Sequence, residues 1–299
     1  MPRIGLPARL ISEPFTTEQG HAAGLGTKRM RGPDLHRPFH GIRTHRPATT
    51  IEALARAFQC GAPGHVFVCG VSAAVILRIP LPARHERSRI LHVAAPAPHR
   101  APRGRGTAGR KVQIRADELW MRNGIRMTTP ERTWCDLASV LSGPDLVAAG
   151  DYLIHHELPL TSQDALRAAV DGWGGRAGAG RLRWAIERLD DHSESRRESI
   201  LRVLVLGARI SGVTANEWIV TSGGYRYRGD LVIRGKKVII EYQSRFHDGT
   251  KEFAADMTRI SRLEADHWYV LQVNNRDLAD SGELVQRIRK VLADRSPSC

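Results

Sequence analysis

The chain has 299 residues, of which 41% are apolar, 25% charged and 6% aromatic, a composition that excludes a disordered or fibrous chain and allows two or three folded domains. The longest uncharged apolar run, Val66–Leu77, has 12 residues, against the roughly 20 that a bilayer-crossing helix needs. The formal charge is +14, and residues 1–120 hold 19 basic and 7 acidic side chains against 26 and 24 in the remainder; a field of that sign points to a polyanion, nucleic acid first, held by the N-terminal part.

MPRIGLPARL has no continuous apolar signal segment, so no membrane partner is expected and the cytoplasm is the expected location. Four cysteines, Cys60, Cys69, Cys135 and Cys299, lack both CxxC spacing and a paired framework, which predicts reduced thiols rather than a zinc module or a disulfide scaffold.

Residues 1–48 read as a small helical unit. In PFTTEQGHAAGL, Thr16 or Thr17 offers an N-cap, Glu18 falls in the first turn and Gly24 stops the helix. A second short helix is expected in GTKRMRGPDL, and Arg37–Arg43 as a strand-like piece with a glycine turn. Helix, turn, basic helix and β wing is a DNA-reading order, in which Lys28, Arg29 and Arg31 would touch the groove or the phosphates. A short basic run alone also fits solvated helix ends.

Residues 49–128 read as a mixed α/β unit, with a helix at Thr50–Gln59, an apolar segment Val66–Ile79 and strands in ILHVAAP, RKVQIR and GIRMTT. Between the first two strands, Pro98–Lys111 carries five Arg or Lys (Arg100, Arg103, Arg105, Arg110, Lys111) and five Gly or Pro in 14 residues, which predicts a cationic phosphate-binding loop. Its centre, Pro102-Arg103-Gly104-Arg105, resembles the minor-groove-reading AT-hook, with Gly106 where the hook has a second proline.

Residues 129–190 turn helical. Thr129 and Glu131 begin a helix with Trp134, Leu137 and Val140 at one-turn spacing, and helices at Asp145–His156, Ser162–Trp173 and Arg181–Leu189 follow as a connector jointed by the glycine-rich GWGGRAGAG.

Residues 191–299 form the last unit. Ser195–Gly207 is a helix opened by a Ser195/Glu198 capping box. Strands follow at Glu217–Thr221, Tyr225–Ile233 and KKVIIEYQ, the last two joined by a tight RGKK turn. Helix Thr250–Glu264, strand HWYVLQV and helix Ser281–Ala293 complete an α/β module. Asp230 ends the polar half of its strand, Glu241 interrupts an apolar run in which an unpaired carboxylate is costly, and Gln243 shares the face of Glu241 because strand side chains alternate. The hairpin sets Asp230 beside Glu241. Two such acids repel unless a cation lies between them, and hard oxygen ligands suit Mg²⁺ or Mn²⁺; salt bridging of Glu241 to one of the many arginines is the structural alternative.

Ser195-Arg196-Arg197-Glu198-Ser199, Gly229-Asp230-Leu231 and Ile240-Glu241-Tyr242-Gln243 followed by His247 resemble, in order and spacing, the PD-(D/E)XK restriction-endonuclease-like superfamily, and more narrowly actinobacterial endonuclease-domain proteins related to very-short-patch-repair enzymes. The N-terminal PFTTEQGHAAGL with LHRPFHGIR, and TTPERTWCDLA after it, resemble the winged-helix domain of AbiEi-type antitoxins. The resemblance implies a C-terminal α/β domain with a central mixed sheet, Asp230 and Glu241 as metal ligands, Glu198 as an acid that aligns the site or holds metal through water, and His247 as a general acid, general base or phosphate contact. Gln243 stands where the superfamily has lysine; glutamine hydrogen-bonds water but brings no positive charge. Asp256 and Arg259, one turn apart on the next helix, are expected to pair with each other or with the site. The function so implied is a Mg²⁺-dependent endonuclease acting on double-stranded DNA, with a non-catalytic DNA-binding regulator of antitoxin type as the alternative and RNA as a further substrate. Oligomeric state is not legible in the sequence.

Overall fold

The computed structural model describes residues 5–243 and 250–295. The fold is mixed α/β, with 13 α-helices and three sheets among the described residues. It divides into two compact units, Met1–Leu141 with Asp164–Ala179, and Ser142–Gln163 with Gly180–Cys299. Among the described residues, no helix is long and apolar enough to cross a membrane.

In the first unit, α1 (Ala8–Ser12) and β1 (Phe15–Thr16) lead into α2 (Thr17–Ala22). Thr16 caps α2 in a full capping box with Gln19, and Gly24 leaves it at φ +80°, a backbone that glycine adopts without strain. The expected second helix is a single 3₁₀ turn, Arg29–Arg31: glycines at 26 and 32 and Pro33 leave no room for a second turn. β2 (Ile42–Arg43) pairs antiparallel with β1, and His36 bridges to Thr44, so the strand-like piece is a minimal hairpin. Phe15, Leu25, Met30 and Leu35 form its small core.

Helix α3 (Ile51–Gly61), capped by Thr50, precedes β3 (Phe67–Val68), α4 (Gly70–Ile76), α5 (Ala83–Glu86), β4 (Leu91–Pro96), β5 (Thr107–Val112), β6 (Leu119–Arg122) and β7 (Ile125–Thr128). These strands form one mixed sheet in the order β5-β4-β3-β7-β6. The run Val66–Ile79 is therefore a short strand and a helix, both buried. Helix α6 (Pro130–Leu137) starts at Thr129, whose side chain accepts the Arg132 amide. Burial pushes the Cys69 thiol up to about 11 and that of Cys135 up to about 12, so neither is a ready nucleophile; Cys299 lies outside the described residues.

The helices between 129 and 190 do not make a separate connector. Helices α6 and α8 (Gln163–Trp173) belong to the first unit, where Arg132 lies over the Trp173 ring. Helix α7 (Gly143–Leu153) and most of α9 (Ala179–Ile186) belong to the second. Two buried ion pairs anchor α7 there, Asp145 with Arg196 and Asp151 with Arg202 at 2.7 Å.

The second unit continues with α10 (Arg196–Gly207), β8 (Val213–Val220), β9 (Arg226–Ile233), β10 (Val238–Tyr242), α11 (Thr250–Ala265), β11 (Tyr269–Val273), α12 (Asn275–Ala279) and α13 (Ser281–Ala293). Its sheet runs β11-β10-β9-β8, antiparallel except for the parallel β10/β11 pair across α11. The tight turn expected at RGKK is a 3₁₀ turn, Arg234–Lys236, closed by Lys237 in the left-handed region at φ +47°. One face of the sheet packs Leu231, Ile233 and Ile240 against Leu201 and Val205 of α10 and Leu284 and Ile288 of α13. The other packs Ile219, Val232 and Ile239 against Leu263 of α11 and Trp268.

Candidate functional site

Three of the carboxylates singled out in the sequence come from three elements of the second unit. Ser195 caps α10 by accepting the Glu198 amide at 3.2 Å. The Glu198 carboxylate accepts the Glu194 amide at 3.1 Å, so the return arm of the capping box goes one residue further back than expected. Glu198 is half-buried, and burial raises its carboxyl above the usual range.

Asp230 owes its position to a break in the β-ladder. The β8/β9 register pairs Ala215 with Leu231 and Glu217 with Gly229 but skips Asn216 and Asp230, and Asn216 has φ +52°. Such an interruption re-aims one side chain. The β9/β10 pairing stops at Leu231 and Ile240; beyond it the Asp230 carboxylate accepts the Tyr242 amide at 2.8 Å. Gly229 must lack a side chain, because a Cβ there would stand 2.8 Å from Ile239 Cγ2 and 2.9 Å from Val232 Cγ2. Burial pushes the Asp230 carboxyl up to about 7; the Tyr242 amide opposes the shift, while the charges of Glu198 and Glu241 add to it.

Glu241 is two residues beyond Ile239, hence on the α11 face, and it is 7% exposed. Arg259 of α11 holds it with two parallel hydrogen bonds, 2.7 Å to Oε1 and 2.6 Å to Oε2. The same guanidinium bonds Asp256 Oδ1 at 2.8 and 3.1 Å, so Arg259 serves both its helix neighbour and the site. Gln243 lies just past β10, half-buried, and its amide continues the parallel pairing to the Val273 carbonyl at 2.7 Å. His247 lies outside the described residues.

Glu198 thus comes from α10 on one face of the sheet, while Glu241 is directed from β10 toward α11 on the other, with Asp230 feeling the charge of both. Their ligand atoms, together with those of Asp230, do not close to within 4.8 Å as a set; among the described residues the group that does is Asp190, Asp191 and His192. The sequence reading missed that group, although the doublets His155-His156 and Asp190-Asp191 carry ligand-type side chains at adjacent positions.

The basic residues fare unequally. Lys28 and Arg31 are exposed. Arg29 is not a free cation: its side chain is 8% exposed and bonds Asp34 at 2.8 and 3.0 Å, because the 3₁₀ turn folds it back over the following loop. Arg31 instead joins Arg37 and Arg43, a cluster the sequence reading did not assemble; burial and its two neighbours pull Arg43 below its ordinary value. Arg100, Arg103 and Arg105 are exposed in the loop between β4 and β5. Arg110 and Lys111 belong to β5 rather than to that loop, and Arg110 turns inward to the Cys69 thiol and against Gly70.

The contrast makes a prediction for any nucleic-acid complex. Replacing Arg103 and Arg105 by Ala should flatten the dependence of log affinity on log salt by about 0.9 per lost phosphate contact, measured by gel shift from low to high salt. Arg29→Ala should leave that slope unchanged and instead lower stability by about 1–3 kcal/mol, because it removes the two hydrogen bonds Arg29 makes to the half-buried Asp34 carboxylate.

No family model matches the chain, nor does any curated protein or solved structure.

Proposed function

We propose that the second unit carries a divalent-metal-dependent phosphodiesterase site on Glu198, Asp230 and Glu241, acting on DNA held by the exposed cations of the first unit. The observation that carries this reading is Asp230 at a break in the sheet, a carboxyl pushed up to about 7 first by burial and further by the charges of Glu198 and Glu241. A group whose charged form is that costly is what a divalent cation relieves. Asp230 and Glu241 would hold Mg²⁺ or Mn²⁺, with Glu198 joining through water. When bound, the ion would polarise the phosphodiester and make water a better nucleophile. Gln243 can orient that water by hydrogen bonding, and Arg259 supplies the fixed positive charge that Gln243 lacks. The mixed sheet of the unit fits the nuclease-like fold that the sequence motifs imply.

A second reading has its own observation. Arg259 already satisfies both oxygens of Glu241, and with Gln243 this suits a disarmed site whose ion pair replaces the metal, leaving a DNA-binding regulator.

Incubation of supercoiled plasmid with Mg²⁺ or Mn²⁺, beside the Asp230→Ala/Glu241→Ala variant and a gel shift on the same DNA, separates the two. Metal-dependent nicking lost by about 10²-fold or more in the variant is the expected result, a loss of roughly 2.7 kcal/mol or more in transition-state stabilisation. A salt-sensitive shift with no cleavage by the native protein would leave the regulator.

A further inference from the structure

The hairpin of β8 and β9 carries a surface that the carboxylate site does not use. Its register sets Trp218 opposite Arg228, Ile219 opposite Tyr227 and Val220 opposite Arg226. Opposed side chains share a face of the sheet. Ile219 and Tyr227 pack with Leu263 of α11 and Trp268, so Trp218, Val220, Arg226 and Arg228 stand on the other face. There Trp218 is 52% exposed and Val220 62%. The Arg226 guanidinium lies over the Trp218 ring, 5.0 Å from its centre. The same pairing recurs at the hairpin tip, where Tyr225 is exposed and the guanidinium of Arg262 in α11 lies 3.6 Å from its ring centre. The tip is fixed in place: Thr221 Oγ1 accepts the Tyr225 amide at 3.1 Å, and the Asp266 carboxylate accepts both the amide and the hydroxyl of Ser222.

The charges around these rings select the partner. Arg228 is paired with Glu194 and Arg234 with Glu217, whereas none of the described carboxylates pairs with Arg226 or Arg262, so each keeps its positive charge beside an exposed ring. A purely apolar partner that covered Trp218 and Val220 would bury the Arg226 charge without relief. An unpaired nucleotide brings what this surface lacks, a flat π-face for the ring and a phosphate for the guanidinium. We propose that the outer face of the hairpin binds an unpaired stretch of DNA, with one base stacked on Trp218 beside Val220 and the adjoining phosphate on Arg226, and with Tyr225 and Arg262 as a second such pair at the tip. The choice of DNA rests on the function proposed above. The choice of an unpaired strand rests on the hairpin alone, since a base stacked within a duplex has no face open to a side chain.

The test follows the fluorescence anisotropy of labelled oligo(dT), of a blunt DNA duplex and of oligo(U) with the full chain in EDTA, where no metal-dependent cleavage intervenes. The native protein should bind oligo(dT), and Trp218→Ala should weaken that binding by about tenfold or more, the size of one lost base stack. Trp218→Phe should recover most of the affinity. Arg226→Ala should flatten the dependence of log affinity on log salt by about 0.7, one phosphate contact on a single strand. The duplex, held by the cations of the first unit, should bind all three variants as it binds the native protein. Trp218 is exposed, so its replacement leaves the fold intact, as circular dichroism would verify. Absence of oligo(dT) binding, or equal affinity in native protein and folded Trp218→Ala, overturns the proposal. So does binding of oligo(U) alone, or self-association through this face, lost in Trp218→Ala, without oligo(dT) binding. Failure of the duplex to bind, with oligo(dT) binding still dependent on Trp218, would remove the function proposed above and leave the hairpin surface standing.

Discussion

Asp230→Asn is expected to make the metal-free protein more stable at pH 8 by up to about 4 kcal/mol while abolishing metal-dependent cleavage. The Asp230 carboxyl stands at about 7 in the folded chain against 3.8 for the ordinary group, and each unit corresponds to about 1.36 kcal/mol. An acid raised in this way binds more protons folded than unfolded. Its contribution to stability is fully present below about pH 4 and is lost as pH rises through about 7. Asparagine cannot ionise, and its side-chain oxygen still accepts the Tyr242 amide, so the variant escapes that loss. Urea unfolding at pH 4, 6 and 8 in EDTA should show the two proteins diverging as pH rises. Parallel stability curves would mean that the folded chain does not penalise the Asp230 charge, and the case for a cation there would fall with it. A gain in stability together with a loss of activity is the pattern of a residue kept for chemistry.

Arg259→Met is expected to cost about 3–5 kcal/mol, the penalty for stranding one member of a buried ion pair. Glu241 would be left 7% exposed without its cation, beside two further acids. The double variant Arg259→Met/Glu241→Gln removes both charges and should recover most of the loss, so a double-mutant cycle should report a coupling of several kcal/mol. A loss below about 1 kcal/mol in the single variant would show the pair to be solvent-screened. Mg²⁺ should offset part of the Arg259→Met loss if the nuclease reading holds, since an ion bound only by the folded state stabilises it.

Local chemistry was legible in the chain wherever a few consecutive residues decide the outcome. Thr16, one of the two caps the sequence offers, and Ser195 cap their helices, and Thr50 and Thr129 cap those whose starts the sequence places on them, because a cap needs only its own side chain and the amide three residues on. Strand ends were less legible: β5 and β8 begin three and four residues before their expected starts, since strand limits depend on a partner elsewhere in the chain. The apolar run at 66–79 could not be divided by periodicity, because a strand and a helix buried all round look alike.

The candidate site follows the same rule. Composition and order alone marked Asp230, Glu241 and Glu198 as out of place in apolar surroundings, and they assigned the positive charge to the N-terminal part. Which arginines remain free was decided by tertiary contacts: Arg29 is consumed by Asp34, Arg110 turns in to Cys69, and Arg259 crosses from α11 to Glu241. Likewise the break at Asn216 and Asp230, and the meeting of His156 with Asp191 across 35 residues of chain, leave no mark at short range. The sequence by itself determined what each segment can form, since capping, turn chemistry and hydrophobic pattern act over a few residues. Only the tertiary structure decided which charges are neutralised and which ligands meet, because Coulomb and hydrogen-bond energies depend on separation in space and on burial, neither of which is a property of neighbours along the chain.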